Sequence, residues 1–156
     1  MTSDYYSRTH TVNSDGVRGF ATKQDVWNQQ KAATEFAKVL GAEMKEFGQL
    51  CAIDYYALVK GKMAGVVEVK CRSHESSRFP TVFLNVRKWL ALQMASVGLG
   101  VPAYFVVQFA DGVRYINIAE VDAARHRVAG TKYLVKSHTD IEPVIEVPVS
   151  QMEKVN

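Results

Sequence analysis

The stretch LCAIDYYALVKGKMAGVVEVKC, residues 50–71, decides the fold. It contains two segments rich in apolar, β-branched and aromatic residues, 50–59 and 65–70, separated by a turn that opens at Lys60-Gly61. β-branched and aromatic residues favour strands, and glycine between two such segments is typical of a turn. The stretch therefore predicts a β-hairpin.

Charged residues stand inside both strands of this predicted hairpin. Side chains alternate across a strand, so Glu68 and Lys70 emerge on the same face of the second strand. Asp54 lies in the first strand, and pairing through the turn brings it near Glu68. We therefore expect two carboxylates and one lysine to converge between hydrophobic strand residues.

Two carboxylates and a lysine are the side chains that phosphodiester hydrolysis requires. Burying two like charges costs free energy unless a cation joins them. Oxygen ligands of this kind suit Mg²⁺, which can hold a phosphate oxygen and lower the pKa of an attacking water. Lys70 could orient that water or stabilise charge that develops on phosphorus. The alternative is an exposed hairpin in which Glu68 and Lys70 form an ordinary ion pair.

The arrangement resembles the PD-(D/E)XK motif of the restriction-endonuclease-like superfamily. Asp54 is followed, after thirteen residues, by Glu-Val-Lys at 68–70, although Ile53 stands where the motif has proline. The resemblance covers residues 23–118. It implies an α/β fold with a central mixed β-sheet flanked by helices. It also implies that the aspartate and the glutamate bind Mg²⁺ or Mn²⁺ and that the lysine assists the water.

The rest of the chain supplies the helices and strands that such a fold needs. Residues 1–21 are polar and without an apolar period, which predicts a flexible N-terminal arm before a single nuclease domain at 22–156. Apolar residues at helical spacing predict a helix at 23–40. The other predicted elements are an extended segment at 81–84, a helix capped by Asn85 and ending near Val97, strands at 103–109 and 113–118 joined through Asp111-Gly112, a helical turn at 119–127, and strands at 133–135 and 144–147.

A helical glutamate is a further candidate for the metal site. Many members of the superfamily place such a residue near the metal, so the resemblance implies that Glu35 is an additional ligand. Lys31 and Lys38 are its neighbours on the helix surface. The alternative is therefore an ordinary solvated position.

Basic residues cluster in the sequence after the second strand, and we expect them to contact the phosphate backbone of DNA. These candidates are Arg72, Arg78, Arg87 and Lys88. The last two fall in the first turn of the helix after Asn85, where cations oppose the helix dipole. A phosphate bound there would reverse the penalty. A solvated pair of charges is the alternative.

Composition limits the class of protein. The chain has 156 residues, of which 47% are apolar, so one domain with a substantial core is expected. A net charge of +3 is too small to indicate nucleic acid by itself. Cys51 and Cys71 form no metal-binding spacing and predict free thiols in a reducing cytoplasm. No signal peptide or apolar membrane span is present in the sequence, so no membrane contact is expected.

These features together predict a Mg²⁺- or Mn²⁺-dependent DNA endonuclease that selects branched structures, as Holliday-junction resolvases do. Short flanks beyond the core favour recognition of DNA shape over direct reading of many bases. A paired cut calls for two protomers related by a two-fold axis, so a homodimer is expected. The strands at 133–135 and 144–147 could form its interface or complete the monomer's core. Two alternatives remain: a sequence-specific restriction or homing endonuclease with the same site, and an inactive nucleic-acid-binding module on a nuclease fold.

Overall fold

The computed structural model describes residues 9–12, 18–21, 23–48, 50–129 and 142–156 of the chain. Within these residues it contains two α-helices, α1 (Lys23–Leu40) and α2 (Val86–Leu99). The strands, in chain order, are β1 (Thr9–Val12), β2 (Arg18–Ala21), β3 (Glu43–Glu46), β4 (Tyr55–Val59), β5 (Lys62–Cys71), β6 (Thr81–Asn85), β7 (Ala103–Phe109), β8 (Gly112–Asn117), β9 (His126–Ala129), β10 (Glu142–Pro148) and β11 (Glu153–Lys154).

A six-stranded mixed sheet forms the centre of the fold, in the order β11-β8-β7-β5-β4-β3. β5 and β7 run parallel, because α2 crosses between them, and the other neighbours are antiparallel. Val67 and Val69 of β5 pack in a core with Phe36 of α1. Val66, on the other face, packs with Leu92 of α2. The predicted mixed sheet flanked by helices is therefore confirmed.

The hairpin of β4 and β5 turns at the predicted place. Lys60 and Gly61 have φ angles of 50° and 75°, and Val59 pairs with Lys62 across them. A two-residue turn with both φ angles positive matches the right-handed twist of the strands it joins. This turn fixes which residues of β4 face which residues of β5.

The first strand of that hairpin is shorter than predicted. β4 begins at Tyr55, so Asp54 lies immediately before the strand and not in the middle of one. The Cys51 N–H donates to the Gly48 carbonyl over 2.9 Å. The chain before Gly48 forms β3, which pairs with β4. The expectation of a continuous strand at 50–59 is therefore wrong at its first half.

A second, three-stranded sheet has the order β6-β10-β9. It confirms the extended segment at 81–84 and the strand at 144–147, whose apolar residues are buried in this sheet and its core. A 3₁₀ turn at Ile118–Glu120 and β9 take the place of the helical turn predicted at 119–127. The strand predicted at 133–135 lies outside the described residues.

The segment assigned to an N-terminal arm contains the antiparallel pair β1 and β2. These strands were missed because the segment is polar and has no apolar alternation. The division into residues 1–21 and 22–156 stays a prediction. In the described parts of the chain neither helix is long and apolar enough to cross a membrane.

Candidate active site

The end of the β4–β5 pairing positions Asp54. The last paired residues on this side are Tyr55 and Val67, so the N–H of Val69 lies beyond the main-chain ladder. Asp54 Oδ2 accepts a hydrogen bond from that N–H over 2.9 Å. The carboxylate thus replaces a missing strand partner, and its position is fixed by the sheet.

Glu68 lies beside Asp54 and is largely buried. The two carboxyl groups are close enough to affect each other's pKa. Burial, followed by the negative charge of Asp54, raises the pKa of Glu68 to about 8, and burial also raises the pKa of Asp54. Two like charges so close resist joint ionisation. The pair therefore tends to hold a proton near neutral pH when no external cation is present.

Lys88 reaches this pair from the first turn of α2. Its Nζ lies 3.1 Å from Glu68 Oε1 and 3.9 Å from Asp54 Oδ1. The same ammonium group donates a hydrogen bond to the Ala52 carbonyl over 2.6 Å. The sequence did not indicate this contact, because the partners are 20 residues apart along the chain. The carboxylate pair thus already attracts one positive charge from within the protein.

Arg87, the preceding residue, also pairs with a carboxylate. Its Nη2 and Nε donate to Glu142 Oε2 over 3.0 and 3.2 Å. Asn85 precedes the helix as predicted, but its side chain donates to Glu142 over 2.6 Å and makes no hydrogen bond that caps the helix. Carboxylates of the protein itself therefore offset the charges at this helix end. Contact of Arg87 and Lys88 with a DNA phosphate stays a prediction.

Lys70 emerges from β5 on the same face as Glu68. Its Nζ donates to the Phe83 carbonyl of β6 over 2.7 Å. Burial, followed by the charge of Arg72, lowers the pKa of Lys70 to about 8. An appreciable neutral fraction therefore exists at mildly alkaline pH, which suits a group that orients or deprotonates water.

Glu35 is half-buried on α1, but the structure does not group it with the carboxylate pair. Among the described residues no set of three His, Cys, Asp or Glu side chains could hold a metal ion. The contacts near Asp54 come from other residues: the charge of Glu46 acts on Asp54, and Gln30 of α1 donates to Glu46 over 3.0 Å. Sequence analysis missed both, because exposed polar residues carry no periodic signal.

The loop after β5 is anchored to the sheet. The Ala110 N–H donates to the His74 carbonyl over 2.9 Å, and the side chain of Ser76 donates to Asp111 over 2.6 Å. Arg72 and Arg78 stand at the start and towards the end of this loop. In the part of the chain that the structure describes, neither has a carboxylate partner. Both residues are therefore candidates for contact with an anionic ligand.

The donor set at the pair fits a hard divalent cation. Mg²⁺ is commonly bound through one or two carboxylates while it keeps several waters, and Asp54 and Glu68 supply two. The ammonium group of Lys88 lies beside the same oxygens, which shows that this position attracts positive charge. Asp54 and Glu68 are the residues that would hold the ion.

A mixed sheet between helices, with the Asp54, Glu68 and Lys70 pattern at the end of its central hairpin, defines a PD-(D/E)XK nuclease of the restriction-endonuclease-like fold. Residues 18–155 match the family described as "Phage putative PDDEXK endonuclease", and the chain belongs to that family of endonucleases. The predicted superfamily is therefore confirmed. A search of curated proteins gave no match.

Among solved structures, the chain is similar to Hjc of Archaeoglobus fulgidus, a Holliday junction resolvase from an archaeal hyperthermophile. The superposition has a TM-score of 0.52 and covers 82% of this chain and 92% of that chain, at 12% sequence identity. At this identity the likeness establishes the fold.

Proposed function

We propose that this protein is a metal-dependent endonuclease that cuts branched DNA, with Asp54, Glu68 and Lys70 as its hydrolytic centre. The observation that carries the proposal is the meeting of Asp54 with the buried Glu68, together with the cation of Lys88, at the end of β5. Groups whose pKa is strongly shifted by burial and by a neighbouring charge cluster at functional sites.

Asp54 and Glu68 would hold Mg²⁺ or Mn²⁺, which supplies charge stabilisation at a phosphate oxygen and a more acidic water. Lys70, held by the Phe83 carbonyl, orients the attacking water and takes up its proton when neutral. The water oxygen then bonds to phosphorus as the bond from phosphorus to the leaving oxygen breaks. The negative charge that develops lies beside the ammonium groups of the site.

Contacts with the DNA backbone fall to the basic residues around this centre. Arg72 and Arg78 have no carboxylate partner among the described residues and suit phosphate binding directly. Arg87 and Lys88 each pair with a carboxylate of the protein, so either residue would have to give up that ion pair to contact a phosphate. For Lys88 that exchange becomes favourable when a metal ion neutralises Asp54 and Glu68.

Action as a homodimer is the second part of the proposal. Leu90, Met94 and Val97 recur at helical spacing on α2, and Met94 and Val97 are 75% and 84% exposed. A contiguous exposed apolar stripe of this kind is typical of an interface. The strand at 144–147 is buried in the monomer's own sheet, so the apolar stripe of α2 is the better candidate.

Cleavage of linear, nicked and four-way-junction DNA of matched sequence, with Mg²⁺ and with EDTA, tests the proposal. We expect the junction to be cut preferentially, and only with Mg²⁺. Cutting of one linear sequence without preference for the junction would favour the restriction or homing alternative. Binding without cleavage under any divalent cation would favour the inactive binding module.

A further inference from the structure

A cavity of about 500 Å³ opens next to the hydrolytic centre, between the end of β5 and the three-stranded sheet. Its lining includes Arg72, Phe79, Pro80, Phe83 and Arg127. The volume lies within the range of sites that enclose small planar ligands.

Phe83 connects this cavity directly to the centre. Phe83 is one of the residues that line the cavity, and its main-chain carbonyl accepts the hydrogen bond from Lys70 Nζ at 2.7 Å. Arg72 is the first residue after β5, two residues beyond Lys70, so its Cα lies about 7 Å further along the extended chain. A ligand in the cavity therefore lies next to the group that acts on the scissile phosphate.

The lining combines flat apolar surfaces with positive charge. The Arg127 guanidinium stacks over the Phe83 ring at 4.8 Å from its centroid, and Phe79 is half exposed. Arg127 is paired with Glu146, whereas the Arg72 guanidinium donates to the Cys71 carbonyl and has no carboxylate partner among the described residues. The half-exposed ring of Phe79, next to a guanidinium group without a carboxylate partner among the described residues, is complementary to a nucleotide, whose base stacks and whose phosphate is anionic.

We propose that this cavity binds one unpaired nucleobase of the DNA substrate, beside the phosphate that is cut. The inference rests on the proposed nuclease function and adds a reason for structure selectivity. A paired base must be unstacked and unpaired before it can enter, which costs free energy, whereas an extra, unpaired base beside a branch point does not have to be unpaired first. The cavity therefore favours DNA with an unpaired base at the cut site.

The test compares two four-way junctions that differ at a single position. One carries an extra unpaired thymine at the crossing point, and the other carries an abasic site there. Affinities are measured by fluorescence anisotropy with Ca²⁺ in place of Mg²⁺. We expect the wild type to bind the thymine junction about tenfold more tightly. Phe79→Ala should lose that preference, and Phe79→Tyr, which keeps an aromatic ring, should retain it.

Trp27→Ala is the matched control, because Trp27 is also about half exposed but lies on α1, away from the cavity. Its preference should equal that of the wild type. Equal affinity of the wild type for both junctions, or an unchanged preference in a folded Phe79→Ala variant, would overturn the inference. Mg²⁺-dependent cutting of the junctions by the same preparation would still stand in that case, so the two proposals fail separately.

Discussion

Glu68 belongs both to the central sheet and to the proposed hydrolytic centre. It occupies an interior strand, where an apolar residue would be more stable, and it is only 9% exposed. Its neighbours Val67 and Val69 pack against α1, and the alternation of the strand turns Glu68 towards α2 and Lys88. The raised pKa of Glu68 is the electrostatic consequence of this placement.

Metal binding at this residue should release a proton. With the pKa of Glu68 raised to about 8, the carboxyl is largely protonated at pH 6–7, and a divalent ion must displace that proton. We expect Mn²⁺ affinity to rise with pH up to about 8 and then to level off. Calorimetry in two buffers of different ionisation enthalpy measures the number of protons released.

Glu43→Gln is the control for this measurement, since Glu43 is an exposed carboxylate on β3 that pairs with Lys45. It should release the same number of protons as the wild type. Glu68→Gln should abolish both binding and release. Tight Mn²⁺ binding at pH 6.5 without proton release would show that Glu68 is already ionised or is not a ligand.

At the scale of elements, the first turn of α2 carries two cations, Arg87 and Lys88, which the helix dipole disfavours. Arg87 pairs with Glu142, and Lys88 pairs with Glu68. Lys88→Gln leaves the carboxylate pair without its counter-charge. We expect it to lower the free energy of unfolding in EDTA by about 2 kcal/mol, because it removes a charge-assisted hydrogen bond to a buried carboxyl group. Mn²⁺ should then raise the melting temperature more than it does for the wild type, since the ion replaces the missing cation.

Arg87→Gln removes the same charge one position earlier and serves as the matched control. The ion pair between Arg87 and Glu142 is partly exposed, and such a pair contributes up to about 1 kcal/mol to stability. Urea unfolding with EDTA and with Mn²⁺ separates the two variants. Equal destabilisation of both, with no added gain from Mn²⁺ for Lys88→Gln, would contradict this account of the helix end.

The elements that the sequence predicted well are those with strong local signals. The bounds of α1 follow from its apolar period and from Gly41, whose φ is 60° after the last helical residue. The turn at Lys60-Gly61 follows from its glycine. The prediction of a strand at 50–59 failed in its first half. Ile53 is apolar because it is buried in the core, and it does not pair in a strand. β3 was missed because three of its four residues are exposed.

The candidate site was predictable only where a motif encodes it. Asp54, Glu68 and Lys70 have a recognisable spacing, and Asp54 and Glu68 meet as expected. The contact of Lys88 with Glu68 joins residues 20 positions apart, and that of Arg87 with Glu142 spans 55. Such pairs depend on how α2 packs against two sheets. Periodicity along one element cannot indicate them.

At the scale of the whole molecule, the apolar stripe of α2 predicts the oligomeric state. Met94→Glu combined with Val97→Glu places two charges on this exposed face and should convert a dimer into a folded monomer, as measured by sedimentation at micromolar concentration. Val39→Glu, a change at an exposed apolar position of α1, should leave the dimer intact. Sedimentation of the wild type as a monomer, with and without DNA, would contradict the proposed two-fold homodimer.

The most direct test of the central claim is single-turnover cleavage of a four-way junction in Mg²⁺ at saturating protein. The account predicts that Glu68→Gln and Asp54→Asn each lower the rate at least about a hundredfold, since a direct metal ligand matters more than its outer-shell partners. Circular dichroism should show an unchanged fold, and Glu43→Gln should cut at the wild-type rate. Near-wild-type cleavage by either site variant would contradict the assignment of Asp54 and Glu68 as the hydrolytic centre.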